Sequence, residues 1–143
     1  MSIRAGAERL QGMTIPFWCL FAAVLLPYVW FSFAAPWRLQ QFGQALNLHT
    51  PRLQDPELTG RTARAQGAHY NSLEALAYFA PAVLVAHLAR ANPSWSAGLA
   101  LLFVVCRVAH GIAYFADRQP LRTAFFAVGL LSSLSLFVLA ACA

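Results

Sequence analysis

The stretch HYNSLEALAYF, His69 to Phe79, decides how this chain is read. It opens a long apolar run, LEALAYFAPAVLVAHLA, yet it places an Asn and a Glu in the first turns of that run. An ionisable side chain inside a bilayer is expensive and faces a bundle interior or a polar cavity rather than acyl chains. If the run is a membrane helix, Asn71 and Glu74 must meet something polar on a neighbouring helix.

The rest of the chain makes the membrane reading the natural one. Its 143 residues are 59% hydrophobic and 10% charged, too apolar for an ordinary soluble domain and too short for several. The net charge of +5 is carried by arginine, with no lysine present. Those arginines lie between apolar runs and are not clustered on a soluble surface, so membrane lipid is an expected partner and nucleic acid is not. Cys19, Cys106 and Cys142 are odd in number and unrelated in spacing, which argues against a disulfide framework or a metal motif. They read as small apolar side chains. Cys106 is the least settled of them, because the adjacent Arg107 favours a thiolate.

Working outward from the opening stretch gives a single domain over 1–143 with four spans, at about 14–35, 69–89, 95–116 and 123–142. The fold class is an all-α membrane protein, an up-down bundle of four transmembrane helices. Arg4 and Arg9 before the first run, and its FAA ending, also fit a secretory signal. The run is long for a signal core, so a retained helix bent at Pro27 is expected. Asp55 followed by Pro56 suits an N-cap and first-turn pair, placing the start of the second helix outside the membrane. Pro81 is expected to kink that helix. Four spans put both termini on one side with Arg4, Arg9 and Arg90. Arg38, Arg52, Arg61, Arg64, Arg118 and Arg122 fall on the other, which the positive-inside rule assigns to the cytoplasm. The termini are then non-cytoplasmic.

Glu74 and Arg107 are the charges within the second and third spans. Glu74 lies about 15 Å along its helix from Arg64, and Arg107 about 15 Å from Asp117, so in antiparallel helices they reach similar depth. Arg64, Gly67, Asn71, Glu74 and Tyr78 share one face of the second helix; Arg107, His110, Gly111 and Tyr114 share one face of the third. The two stripes form a pocket open to the cytoplasm. The blander reading is that Glu74 and Arg107 neutralise each other and fix helix register, with Asn71 and His110 as interhelical partners. Two charges need one ion pair, however, and not also Asn71, His110, Tyr114 and Arg122. That surplus of donors points to an anionic ligand. His87 and His110 sit at opposite ends and cannot share one iron, and His69 points away from the Asn71 face, so no metal site is expected.

AHYNSLEA (68–75), with Arg64 a turn earlier, and RVAHGIAYFADRQPLR (107–122) resemble the second-helix and third-helix signatures of the MAPEG family, the membrane-associated proteins in eicosanoid and glutathione metabolism. The resemblance covers the middle helices and, through length and span count, the whole chain. It implies a homotrimer binding glutathione as co-substrate between neighbouring subunits near the cytoplasmic face. Asn71 and Glu74 would hold its polar groups, Arg107 would neutralise buried negative charge, His110 and Tyr114 would line the site, and Arg122 would stand beside the thiol as the catalytic group. Gly67 stands where many glutathione-using members carry a second Arg, and Arg64 or Arg38 is expected to take over its grip on a carboxylate. The implied activity is that of a glutathione-dependent transferase or peroxidase acting on a lipophilic small molecule. The alternative is a non-catalytic protein of the same fold, serving as a subunit or lipid-binding partner of another complex. A transporter is weaker still, since one polar pocket near one face supplies no second half of a pathway.

Overall fold

The computed structural model describes residues 12–143. Arg4 and Arg9, which enter the orientation argument, lie outside the described residues, as does the start of the signal-like segment. Four long helices follow one another: α1 (Ile15–Phe42), α2 (Gly60–Leu88), α3 (Pro93–Phe115) and α4 (Gln119–Ala141). Two short 3-10 segments, Gly43–Ala45 and Pro51–Glu57, fill the first connection. No strand occurs among the described residues.

Successive helices alternate in direction. Phe17 meets His87 while Phe31 meets His69, so α1 and α2 are antiparallel. Phe79 stacks on Phe103 at 3.7 Å while Arg64 reaches Asp117, reversing direction again between α2 and α3. Gly129 approaches Cys106 and Arg122 lies over Tyr114, which does the same for α3 and α4. This is the expected up-down arrangement.

Three helical segments are long and apolar enough to cross a membrane: Ile15–Ala45, Pro93–Phe115 and Gln119–Ala141. α2 is not among them, although at 29 residues it is the longest helix. Asn71, Glu74 and His87 dilute its apolar run. α1 continues past the expected end near 35 through Pro36 to Phe42, since a proline removes one helical hydrogen bond without forcing a stop. α2 begins later than the Asp55-Pro56 pair implies. Asp55 lies in the 3-10 segment and its carboxylate is engaged elsewhere, while Thr59 precedes the first helical residue.

What engages Asp55 is a tertiary clasp. Arg38 Nη1 donates to Asp55 Oδ1 at 2.7 Å, Arg38 also donates to the Pro51 carbonyl, and Tyr70 donates to Asp55 Oδ2 at 2.5 Å. Gln54 adds a bond to the Ala45 carbonyl and accepts from the Asn47 amide. One acid thus ties α1, the first loop and α2 together. Asp55→Ala is expected to cost about 2 kcal/mol, from the lost charge-assisted bonds. Thermal unfolding in detergent measures it, and an unchanged midpoint would remove the clasp from the stabilising contacts.

In a bilayer, helices gain nothing from hiding apolar surface from lipid, so close backbone approach and interhelical hydrogen bonds hold a bundle together. α2 follows this rule: its buried positions Ala65, Ala68, Ser72, Ala75, Phe79, Ala82 and Ala86 recur every three to four residues and are nearly all small. α4 buries Gly129, Ser132, Ser133 and Leu136, and Ser133 Oγ donates across to the Tyr78 carbonyl at 3.3 Å. Gly98, by contrast, faces open space.

α2 and α3 end alike. Arg90 and Asp117 take left-handed backbone (φ 57° and 54°), with Arg90 N–H on His87 O and Ala91 N–H on Ala86 O. Asp117 and Arg118 repeat the pattern on Tyr114 and Ala113. Both are Schellman closures in which a glycine is the usual residue.

Candidate functional site

Asn71 lies eleven residues into α2 and Arg107 eight residues before the end of α3. At 1.5 Å per residue these are depths of about 16 and 12 Å from the same end of the bundle. The two meet there. Arg107 Nη2 donates to the Asn71 side-chain oxygen at 2.5 Å and to the Asn71 backbone carbonyl at 3.1 Å. A guanidinium thus reaches across the α2–α3 contact to a helix carbonyl and an amide together, which pins helix register.

Glu74 is linked to this pair only through Asn71, whose amide donates to Glu74 Oε2 at 3.5 Å. The expected direct ion pair with Arg107 is not formed. Among the described residues the ion pairs are Arg38–Asp55 at 2.7 Å and Arg64–Asp117 at 3.4 Å. Asn71 precedes Glu74 by one turn on the same face and takes the guanidinium first, and the Glu74 carboxylate points outward, exposed on the single chain. It shares that outer face with Leu73, Leu84 and Leu88, all exposed.

Arg107 itself is only 2% exposed. Its Nε and Nη1 find no hydrogen-bond partner among the described residues, and neither do the buried Tyr78 hydroxyl and His110 Nδ1. Buried donors of this kind are normally satisfied, so their gathering in one place marks unused binding capacity. Tyr78, placed by spacing on the polar face of α2 but given no role there, joins this group through its hydroxyl. It stands one turn beyond Glu74.

Toward the bundle end, His110 makes an edge contact with Tyr114 at 5.2 Å between ring centroids, and the Arg122 guanidinium lies 4.3 Å from the Tyr114 ring centre. Cation–π packing holds Arg122 against α3. It has no ion-pair partner among the described residues. Arg107, His110, Tyr114 and Arg122 therefore form a file from the interior to the end where α2 and α4 begin. Gly111, read from spacing as part of this stripe, turns instead toward α1, where it lies under Trp30.

The sequence model of the MAPEG family matches residues 15–142. The chain belongs to the MAPEG family. MAPEG proteins are membrane helical bundles, and with three apolar helices this chain is an integral membrane protein. The family includes glutathione transferases and peroxidases as well as non-catalytic members. A comparison with curated proteins found no significant match.

Of the MAPEG signature positions, Asn71, Arg107, His110, Tyr114 and Arg122 converge as described. Arg64 points toward the same end but is held by Asp117. Arg38 stands on another side of α2, committed to Asp55 and Pro51. His69 also faces away, with Nδ1 2.9 Å from the Pro27 carbonyl. That acceptor places the ring proton on Nδ1. At Gly67 an added Cβ would stand 3.0 Å from Tyr114 Cε1, so the glycine gives the tyrosine ring its seat. Gly67→Ala is expected to change stability by less than about 1 kcal/mol, because the gain in helix propensity offsets the crowding. Tyr114 must still shift by a few tenths of an ångström. Thermal unfolding and near-UV circular dichroism separate these two effects.

Proposed function

We propose that this MAPEG protein is a glutathione-dependent membrane transferase or peroxidase acting on lipophilic electrophiles or hydroperoxides. The observation that carries the reading is the file of cationic and neutral donors from Arg107 to Arg122. The Nε and Nη1 of Arg107 are buried without partners, and the nearest carboxylate, Glu74, is turned outward. A tripeptide with two carboxylates and a thiol complements such a file. In this reading Arg107 meets buried negative charge, Asn71 and Glu74 take the ligand's donors and acceptors, and His110 and Tyr114 line the channel. Arg64 can leave its long, exposed contact with Asp117 to bind a carboxylate at the mouth.

The chemistry follows from the place of Arg122. A free thiol with a pKa near 8.5 is mostly protonated at neutral pH, and a cation beside it favours the thiolate. Arg122 sits in the first turn of α4, where the helix dipole acts in the same direction. The thiolate sulfur then attacks an electrophilic carbon of a molecule arriving laterally from the bilayer, forming a thioether as the leaving group departs with the bonding pair and takes up a proton. With a hydroperoxide it attacks the terminal oxygen, the O–O bond breaks to release an alcohol after protonation, and the glutathione sulfenic acid formed condenses with a second glutathione to the disulfide and water. The protein supplies orientation and charge stabilisation.

The same reading takes α2 as the fourth membrane span, the termini as non-cytoplasmic, and the assembly as a homotrimer. Glu74 supports an assembly. A carboxylate facing acyl chains near a helix centre costs about 2.5–3.5 kcal/mol, and a neighbouring copy packed on the Leu73, Leu84 and Leu88 face removes that cost. The test is glutathione binding by purified protein in detergent, read by calorimetry and by the ultraviolet thiolate band. Binding in the millimolar range or tighter supports the proposal, and no binding at that concentration overturns it.

One observation favours the second reading, a non-catalytic member that keeps the pocket as a subunit or lipid-binding partner. Tyr114 fills the space over Gly67 from which a second arginine would reach a glutathione carboxylate. Co-purification with a stoichiometric partner, with full function retained in Arg122→Ala cells, would select it.

A further inference from the structure

At the opposite end of the bundle from the Arg107–Arg122 file lies a cavity of about 340 Å³ to which all four helices contribute. It is amphipathic along its length. Arg90, His87 and Thr14 stand at its rim, where α2 ends and α1 begins, and Val83 and Leu136 lie deeper. Val83 lies five residues inside the end of α2 at Leu88, about 8 Å of depth. Among the described residues of the lining Arg90 is the charged one, and none of them is a carboxylate. Ser96 also lines it. Its side chain is buried (6% exposed), and its hydroxyl has no hydrogen-bond partner among the described residues.

We propose that this cavity binds the anionic head and first part of the alkyl chain of a single-chain amphiphile, a carboxylate or phosphate on a hydrocarbon tail. The volume is at the small end of the range for ligand sites, about 300–1,000 Å³. A cavity of this volume, apolar at Val83 and Leu136, accepts a segment of one alkyl chain. The cationic rim lies at the helix ends beside exposed Trp95, at the level where a membrane presents its polar groups. Arg90 supplies a charge-assisted contact, and Ser96 offers a donor to an oxygen of the head. Arg90 also holds the left-handed position of the α2 closure, where glycine or asparagine fits with less strain. The backbone therefore does not explain the choice of arginine, whereas a head group at the rim does.

The test uses the full chain in phosphatidylcholine nanodiscs and a diazirine-bearing dodecanoate, with labelled peptides mapped by mass spectrometry. Label is expected on peptides spanning 83–97. Unlabelled dodecanoate should displace it at about one tenth the concentration of dodecanol, the ratio set by one charge-assisted contact. Lysophosphatidate of the same chain length is run beside dodecanoate. Competition by the carboxylate alone assigns a free fatty acid, and competition by both assigns an anionic head of either kind. Arg90→Asn keeps the backbone geometry and should weaken labelling about tenfold. Ala97→Leu should abolish it by filling part of the cavity. Equal displacement by dodecanol and dodecanoate, unchanged labelling of Arg90→Asn, or label mapping to other segments would overturn the proposal.

Discussion

Arg122→Ala is expected to lower turnover with glutathione by about 10²–10³-fold, the range seen when a single group stabilising developing or nascent negative charge is removed. The ultraviolet thiolate band of bound glutathione should fall with it. Two features make this change separable from a folding defect. Arg122 is half-buried at the end of the bundle, and its contact is the Tyr114 ring at 4.3 Å. Loss of one partly exposed cation–π contact costs only about 1 kcal/mol. The thermal midpoint should therefore move little while the thiolate signal drops. Glutathione affinity should fall less than turnover, because Arg107 and Arg64 remain to meet the ligand's carboxylates. Retained turnover and an intact thiolate band in Arg122→Ala would remove this residue from the chemistry.

The largest effect on stability is expected at Gly111. A Cβ there would stand 2.2, 2.5 and 2.8 Å from three atoms of the Trp30 indole, far inside contact distance. Trp30 cannot simply swing aside, for it is 7% exposed and its ring packs on Phe115 at 5.5 Å. Gly111→Val therefore has to push α1 away from α3 or expel the indole, at a cost of about 3 kcal/mol or more. In detergent this should appear as a large drop in the unfolding midpoint with altered tryptophan fluorescence. Trp30→Ala on the Gly111→Val background should recover much of the loss, since the two changes share one volume. A midpoint unchanged in the single variant would mean that the α1–α3 contact is not close in the membrane.

How much of this was legible in the sequence depends on which kind of geometry was asked for. Depth was legible. The level of Arg107 against α2 follows from helical rise and antiparallel order, and Asn71 stands opposite it. Partner choice was not. Asn71 and Glu74 share a face, and which of them receives the guanidinium is set by side-chain reach across the actual helix separation, which spacing does not contain. Gly111 shows the same boundary. It falls within the arc of Arg107, His110 and Tyr114 on a helical wheel, yet it serves α1, because the position of α1 around α3 is a packing result.

Local signals failed where tertiary contacts overrode them. Asp55 before Pro56 has the chemistry of a helix start, but Arg38 and Tyr70 claim its carboxylate from positions far along the chain. The first span is expected to end near 35, yet α1 carries Pro36 inside it and runs on to Phe42. Gly98 and Gly129 look alike in sequence as small residues for close contact; only Gly129 meets a neighbour, at 3.5 Å from Cys106 Cβ. α2 is the instructive case. Its polar residues keep it below the apolarity of a membrane span, and the same residues build the site.

The most direct measurement is a structure of the detergent-solubilised protein with glutathione, at a resolution that shows side chains. The expected result is a tripeptide at the boundary between copies of the chain, with its anionic groups within hydrogen-bond distance of Arg107 Nε or Nη1 and its sulfur beside Arg122. Arg107 closed against a Glu74 carboxylate, with no ligand between the helices at saturating glutathione, would contradict it.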